Sequence, residues 1–86
     1  MVIGINKVYE ANGRSFHLQA EDLGREAEVF EVRIYDQGTV LWQKRVGYGD
    51  LIAQDLPKPD LDQALRAKME KTLLTVEAAI AKGKIG

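Results

Sequence analysis

From Val2 to Tyr48 apolar and polar residues tend to alternate, and from Leu61 onward the apolar spacing lengthens to three or four. The first pattern predicts strands and the second a helix. Strand one falls over Val2–Glu10 and strand two over Arg14–Glu21. Asn12-Gly13 joins them as a two-residue hairpin turn, because both central residues must take positive φ. That turn sets the register, with Tyr9 facing Phe16, Lys7 facing Leu18 and Ile5 facing Ala20. Ile3, Ile5, Tyr9, Phe16, Leu18 and Ala20 then share one side; Asn6, Val8, Ser15, His17, Gln19 and Glu21 take the other. After a polar loop over Asp22–Ala27, strand three covers Glu28–Tyr35 and strand four Thr39–Tyr48. Reading Asp36-Gln37-Gly38 as a three-residue loop, with Gly38 taking positive φ in a bulge, sets Ile34 opposite Val40 and Val32 opposite Trp42. Phe30, Val32, Ile34, Val40 and Trp42 then gather on one face, while Glu31, Arg33, Tyr35, Leu41, Gln43 and Arg45 line the other.

Gly49–Pro59 is a connector in which Pro57-Lys58-Pro59 stops strand pairing. Asp60 is the expected N-cap of a helix over residues 60–83, with Gln63 completing a capping box. Its apolar stripe is Leu61, Leu65, Met69, Leu73, Val76 and Ile80, and Gly83 suits the residue just past its end. One sheet with one apolar face needs one cover, and this helix is the cover available. Short connections favour strand order one-two-three-four. The expected fold is therefore a single α+β domain over 1–86: a four-stranded antiparallel meander (sheet 2–48) with the C-terminal helix packed on one face, ββββα. Tyr9, Phe16, Phe30, Trp42, Leu65, Met69 and Leu73 are expected in the middle of the core, and Tyr48 against the helix.

Size sharpens this picture. A chain of 86 residues buries only about 60–65% of its unfolded surface. Without cysteines no disulfide or thiolate metal site supplements that thin core, whereas self-association would. The 12 Lys+Arg against 13 Asp+Glu give no long-range field to attract nucleic acid. The N-terminus lacks the basic leader and long apolar segment of a signal peptide, and no apolar run approaches the ~18 residues a membrane span needs. The expectation is a cytoplasmic protein.

Candidate chemistry is sparse. His17, Gln19 and Glu21 stand on one side of a strand at ~6.6–7 Å intervals, within reach of one small ligand; the competing reading is a solvated polar face. Ser15, His17 and Glu21 do not make a nucleophilic triad, because no sharp nucleophile turn or oxyanion hole accompanies them. One histidine without cysteine cannot build a zinc cage, and no acidic loop fits calcium. Gly47-Tyr48-Gly49 leads into a proline-bearing connector rather than a helix, so it is no phosphate loop. No catalytic residue, metal or cofactor is assigned. The sheet face away from the helix is the better candidate. It offers Tyr35 and Leu41 for a protein contact or a homodimer, and Arg33, Tyr35 and Arg45 for a nucleic-acid strand, although Glu21 and Glu31 on that face oppose phosphate.

The run Phe16-His17-Leu18-Gln19-Ala20-Glu21-Asp22-Leu23-Gly24, with Val8-Tyr9, Gly13-Arg14, Gly38-Thr39-Val40-Leu41, Tyr48, Met69 and Gly83, resembles a small bacterial family of uncharacterised domains. Its pattern reads roughly G-R-x-F-H-I-Q-T-E-D-x-G, then a hairpin with G-x-[IV]-L, a tyrosine and a helix. Ala20 replaces a usual threonine, and Lys71-Thr72 stands where the family carries a Gln-His pair. The resemblance implies a shared fold, a role for His17, Gln19, Glu21 and Asp22 in the family, and an accessory or interaction module. It implies no activity. The expected topology is also similar to that of the Whirly-like single-strand-binding coactivators, whose basic sheet is not reproduced here. The leading expectation is a non-catalytic module that self-associates through the open sheet face or its edge. Single-stranded nucleic-acid binding and a small-ligand site around His17, Gln19 and Glu21 are the alternatives.

Overall fold

The computed structural model describes residues 4–85; Val2 and Ile3, assigned by alternation to strand one, lie outside them. Four strands, β1 (Gly4–Ala11), β2 (Arg14–Asp22), β3 (Val29–Asp36) and β4 (Thr39–Gly47), precede a short helical turn α1 (Gly49–Ile52) and the long helix α2 (Lys58–Ala81). The sheet is antiparallel in the order β1-β2-β3-β4, so the α+β meander expected from the periodicity is the observed fold. Asn12 and Gly13 take φ of 55° and 76°. The first hairpin accordingly has the expected register, with Ile5 opposite Ala20, Lys7 opposite Leu18 and Tyr9 opposite Phe16.

The second hairpin differs. Asp36 pairs with Thr39 and Tyr35 with Val40, which leaves a two-residue turn of Gln37 and Gly38 with φ of 51° and 83°. The register then shifts, so that Ile34 pairs with Trp42 and Val32 with Lys44. Leu41 is the extra residue of a β-bulge. Val40, expected in the core, is therefore carried to the face it shares with Tyr35 and is 45% exposed.

Phe16, Leu18, Ala20, Phe30, Val32 and Ile34 form the buried face of the sheet. Leu61, Leu65, Met69, Leu73, Val76 and Ile80 of α2 cover it, with the helix lying against β1 and β2. Trp42 and Tyr9 are half-buried at the margin rather than central, alongside Val46 and Ile5, while Leu51 and Ile52 of α1 close one side. Helix α2 starts before Asp60. Its N-cap is Pro57, with Pro59 in the first turn and no side-chain cap hydrogen bond, so the expected capping box does not form. Proline's fixed φ is already helical and its missing N–H is no loss in a first turn. Asp60 serves instead as an acidic group near the positive helix end. At the C-terminus α2 ends at Ala81 rather than at residue 83, and the Gly83 cap follows expectation. Gly83 has φ of 75°, its N–H bonds the Ile80 carbonyl and the Lys84 N–H bonds that of Ala79. These two bonds form a Schellman motif.

Candidate functional site

The helix covers one face only, and register dictates what the other presents. Reading across the strands, Val8 pairs with His17, His17 with Tyr35, and Tyr35 with Val40. These four side chains form one transverse row spanning the whole sheet. The next row is Asn6, Gln19, Arg33 and Gln43, and the one beyond it Glu21, Glu31 and Arg45, beside Gly4. Successive rows stand ~6.6–7 Å apart. The open face is thus banded, from apolar and aromatic, through amides and one arginine, to charged.

The apolar band is exposed. Val8 is 65% accessible and Val40 45%, and Leu41 in the bulge 39%. The His17 and Tyr35 rings meet edge to face, centroids 6.1 Å apart. His17 Nε2 lies 3.3 Å from Asn6 Oδ1, and the Tyr35 hydroxyl donates to Gln19 Oε1 at 3.3 Å. Asn6, Val8, Ser15, His17, Gln19, Tyr35 and Gln37 bound a shallow depression of about 460 Å³. His17, Gln19 and Glu21 share this face, as the alternation implied, but do not converge. His17 and Glu21 are four positions apart, about 13 Å along a strand. The groups beside the imidazole are an amide and a phenol ring, not a carboxylate.

In the charged band, Glu31 is only 7% exposed and is held between Arg33 and Arg45, the latter Nε at 3.2 Å from Oε2. A hydrogen bond with Tyr35, aided by the Glu31 charge, raises the Arg33 pKa further above its ordinary value. Both arginines that a nucleic-acid strand would use are thus committed to one carboxylate, and Glu21 stands directly opposite Glu31. This face has little charge left for phosphates.

One polar pair was not evident from the sequence. Tyr48 is fully buried, and its hydroxyl donates to Asp22 Oδ1 at 2.6 Å. The Gly24 N–H donates to the same oxygen at 3.0 Å, closing the Asx turn that follows β2. The Tyr48 N–H donates to the Glu28 carbonyl at 2.7 Å. Burial first, then the Asp22 hydrogen bond, push the phenol well above its ordinary 10.0. A pocket of about 380 Å³ opens beside this pair, lined by Arg25, Lys58, Leu61, Asp62 and Leu65. The distinctive run from Phe16 to Gly24 therefore splits by function: Phe16, Leu18 and Ala20 build the core, His17, Gln19 and Glu21 face outward, and Asp22 and Gly24 anchor Tyr48. Only a tyrosine between two glycines, Gly47 and Gly49, hinted at such an anchor.

Among the described residues no three His, Asp or Glu side chains converge as metal ligands, and no helix is long and apolar enough to cross a membrane. No protein-family model, curated protein or solved structure matches the chain.

Proposed function

We propose that the chain is a non-catalytic interaction module that associates with a second copy of itself. The observation that carries this reading is the uncovered apolar row Val8–His17–Tyr35–Val40, which crosses a sheet whose outer strands are both unpaired. One helix cannot cover two faces, and association through the open face or its edge removes from water part of what the helix leaves exposed, Val8 at 65% above all. The non-catalytic part of the reading rests on the described contacts of His17, which are the Asn6 amide oxygen and the edge of the Tyr35 ring. Arg33, Arg45 and Tyr35 also suit a nucleic-acid strand by residue type, but their pairing with Glu31 and Gln19 favours protein contact. The bacterial family suggested by the Phe16–Gly24 motif fits an accessory role of this kind.

Sedimentation velocity of the full chain, from about 1 μM to about 1 mM, tests the reading. The expected result is a weight-average mass that climbs from one chain toward two. A strictly monomeric chain across that range overturns it.

A further inference from the structure

The self-association proposed above leaves open which surface does the pairing. We propose that it is the edge of β1, joined antiparallel to β1 of a second copy so that two four-stranded sheets become one of eight.

Both outer strands present unpaired backbone N–H and C=O groups, and natural sheets guard such edges with bulges, charges or proline. β4 is guarded: the Leu41 bulge breaks its line, and Lys44 and Arg45 follow it. β1 is not. Its pairing with β2 runs without a register shift from Gly4 to Ala11, and it contains no proline. Its one cation, Lys7, is drawn onto α2, where Nζ lies 3.0 Å from Glu77 Oε2.

The two most exposed large hydrophobic side chains among the described residues flank this same strand, one on each side of the sheet. Val8, 65% accessible, stands on its open face. Leu74, 62% accessible, stands on the helix side, where it borders a groove of about 270 Å³ with Ile5, Lys7 and Leu73. A contact on either face alone would cover one of them. Extension of the sheet past β1 covers both.

Side-chain identity then selects the register. Open-face residues of one copy must meet open-face residues of the other, so even-numbered positions pair with even. Centring on Lys7 brings two ammonium groups together. Within the described strand Gly4–Ala11, centring on Asn6 or Tyr9 shortens the ladder. Centring on Val8 pairs Ile5 through Ala11 of each copy and sets Val8 against Val8, Lys7 against Tyr9 and Asn6 against Glu10, with no like charges opposed. Leu74 then approaches Tyr9 and Ala11 of the other strand. The apolar rows join end to end, giving one band, Val40–Tyr35–His17–Val8 and its mirror sequence, about 34 Å long across eight strands.

The chain has no cysteine, so Val8→Cys introduces a single reporter, and Val40→Cys is a matched exposed control on the other edge. The expected result under mild oxidation is a disulfide-linked dimer for V8C at the protein concentration where the wild type is dimeric, with little for V40C. Leu74→Glu should weaken the dimer at least about tenfold, while Tyr35→Ser combined with Leu41→Ser leaves it unchanged. Amide exchange in β1, and not in β4, should slow as wild-type concentration rises. If the wild type dimerises but V8C fails to cross-link and Y35S/L41S dissociates the dimer, the copies meet face to face; the edge assignment falls and self-association stands. A monomeric wild type removes both.

Discussion

The Tyr48 hydroxyl ties the end of β2 and the loop after it to the residue that follows β4, through Asp22 Oδ1 at 2.6 Å and the Gly24 carbonyl at 3.0 Å. A buried hydrogen bond to a charged acceptor contributes about 1.5–3 kcal/mol. Tyr48→Phe should therefore lower unfolding stability by about that amount, read by urea denaturation with Trp42 as the fluorophore. The same substitution should alter the alkaline limb of stability. The Tyr48 pKa is raised in the folded chain above its ordinary 10.0. Above pH about 10 the unfolded state thus loses a proton that the folded state keeps, and stability declines as pH rises; below that pH the contribution is fully present. The Phe variant lacks this share of the slope, and an unchanged slope would count against the assignment. Asp22 and Tyr48 lie 26 positions apart, and no spacing rule links them. The burial of Tyr48 was legible as an aromatic at the end of a strand, but its partner depended on the path of the intervening hairpin.

Turn chemistry separates what was legible among the elements from what was not. Asn12-Gly13 carries its own instruction, and the register of β1 with β2 followed from it residue by residue. Gln37 carries none, since an unbranched amide seldom adopts positive φ. Alternation also could not distinguish the two loops. A two-residue turn with a bulge at Leu41 and a three-residue loop with its bulge at Gly38 put Phe30, Val32, Ile34 and Trp42 on the same side and differ in the side they give Val40. That one difference places Val40 in the exposed row. The row itself was hidden because the loop from Leu23 to Glu28 has no turn signature that would set β2 against β3. For the helix, the apolar stripe was legible, whereas its start was set by Pro57 and Pro59 rather than by Asp60. Its end offers a direct check. Gly83 has φ of 75°, and a Cβ there would meet nothing within 4 Å. Gly83→Ala should thus lower the thermal unfolding free energy by about 1 kcal/mol through backbone strain alone, as measured by circular dichroism.

The whole molecule measures 43 × 20 × 17 Å, with a radius of gyration of 13.7 Å, against about 12 Å for a compact chain of this length. Two layers and one helix leave much of the surface uncovered. If pairing supplies part of the stability, the thermal midpoint should rise by roughly 3–5 °C per tenfold increase in concentration above the dissociation constant. A midpoint independent of concentration in differential scanning calorimetry would argue that the lone protomer is stable by itself. The cover of the sheet is also made after the sheet itself. Lys7 of the first strand is bridged to Glu77 near the end of α2, 70 positions later. On the ribosome, all four strands emerge before the residues that shield Phe16, Leu18, Phe30 and Ile34. At ordinary elongation rates the apolar face of the nascent sheet waits on the order of seconds for its helix, a window in which that face is open to aggregation.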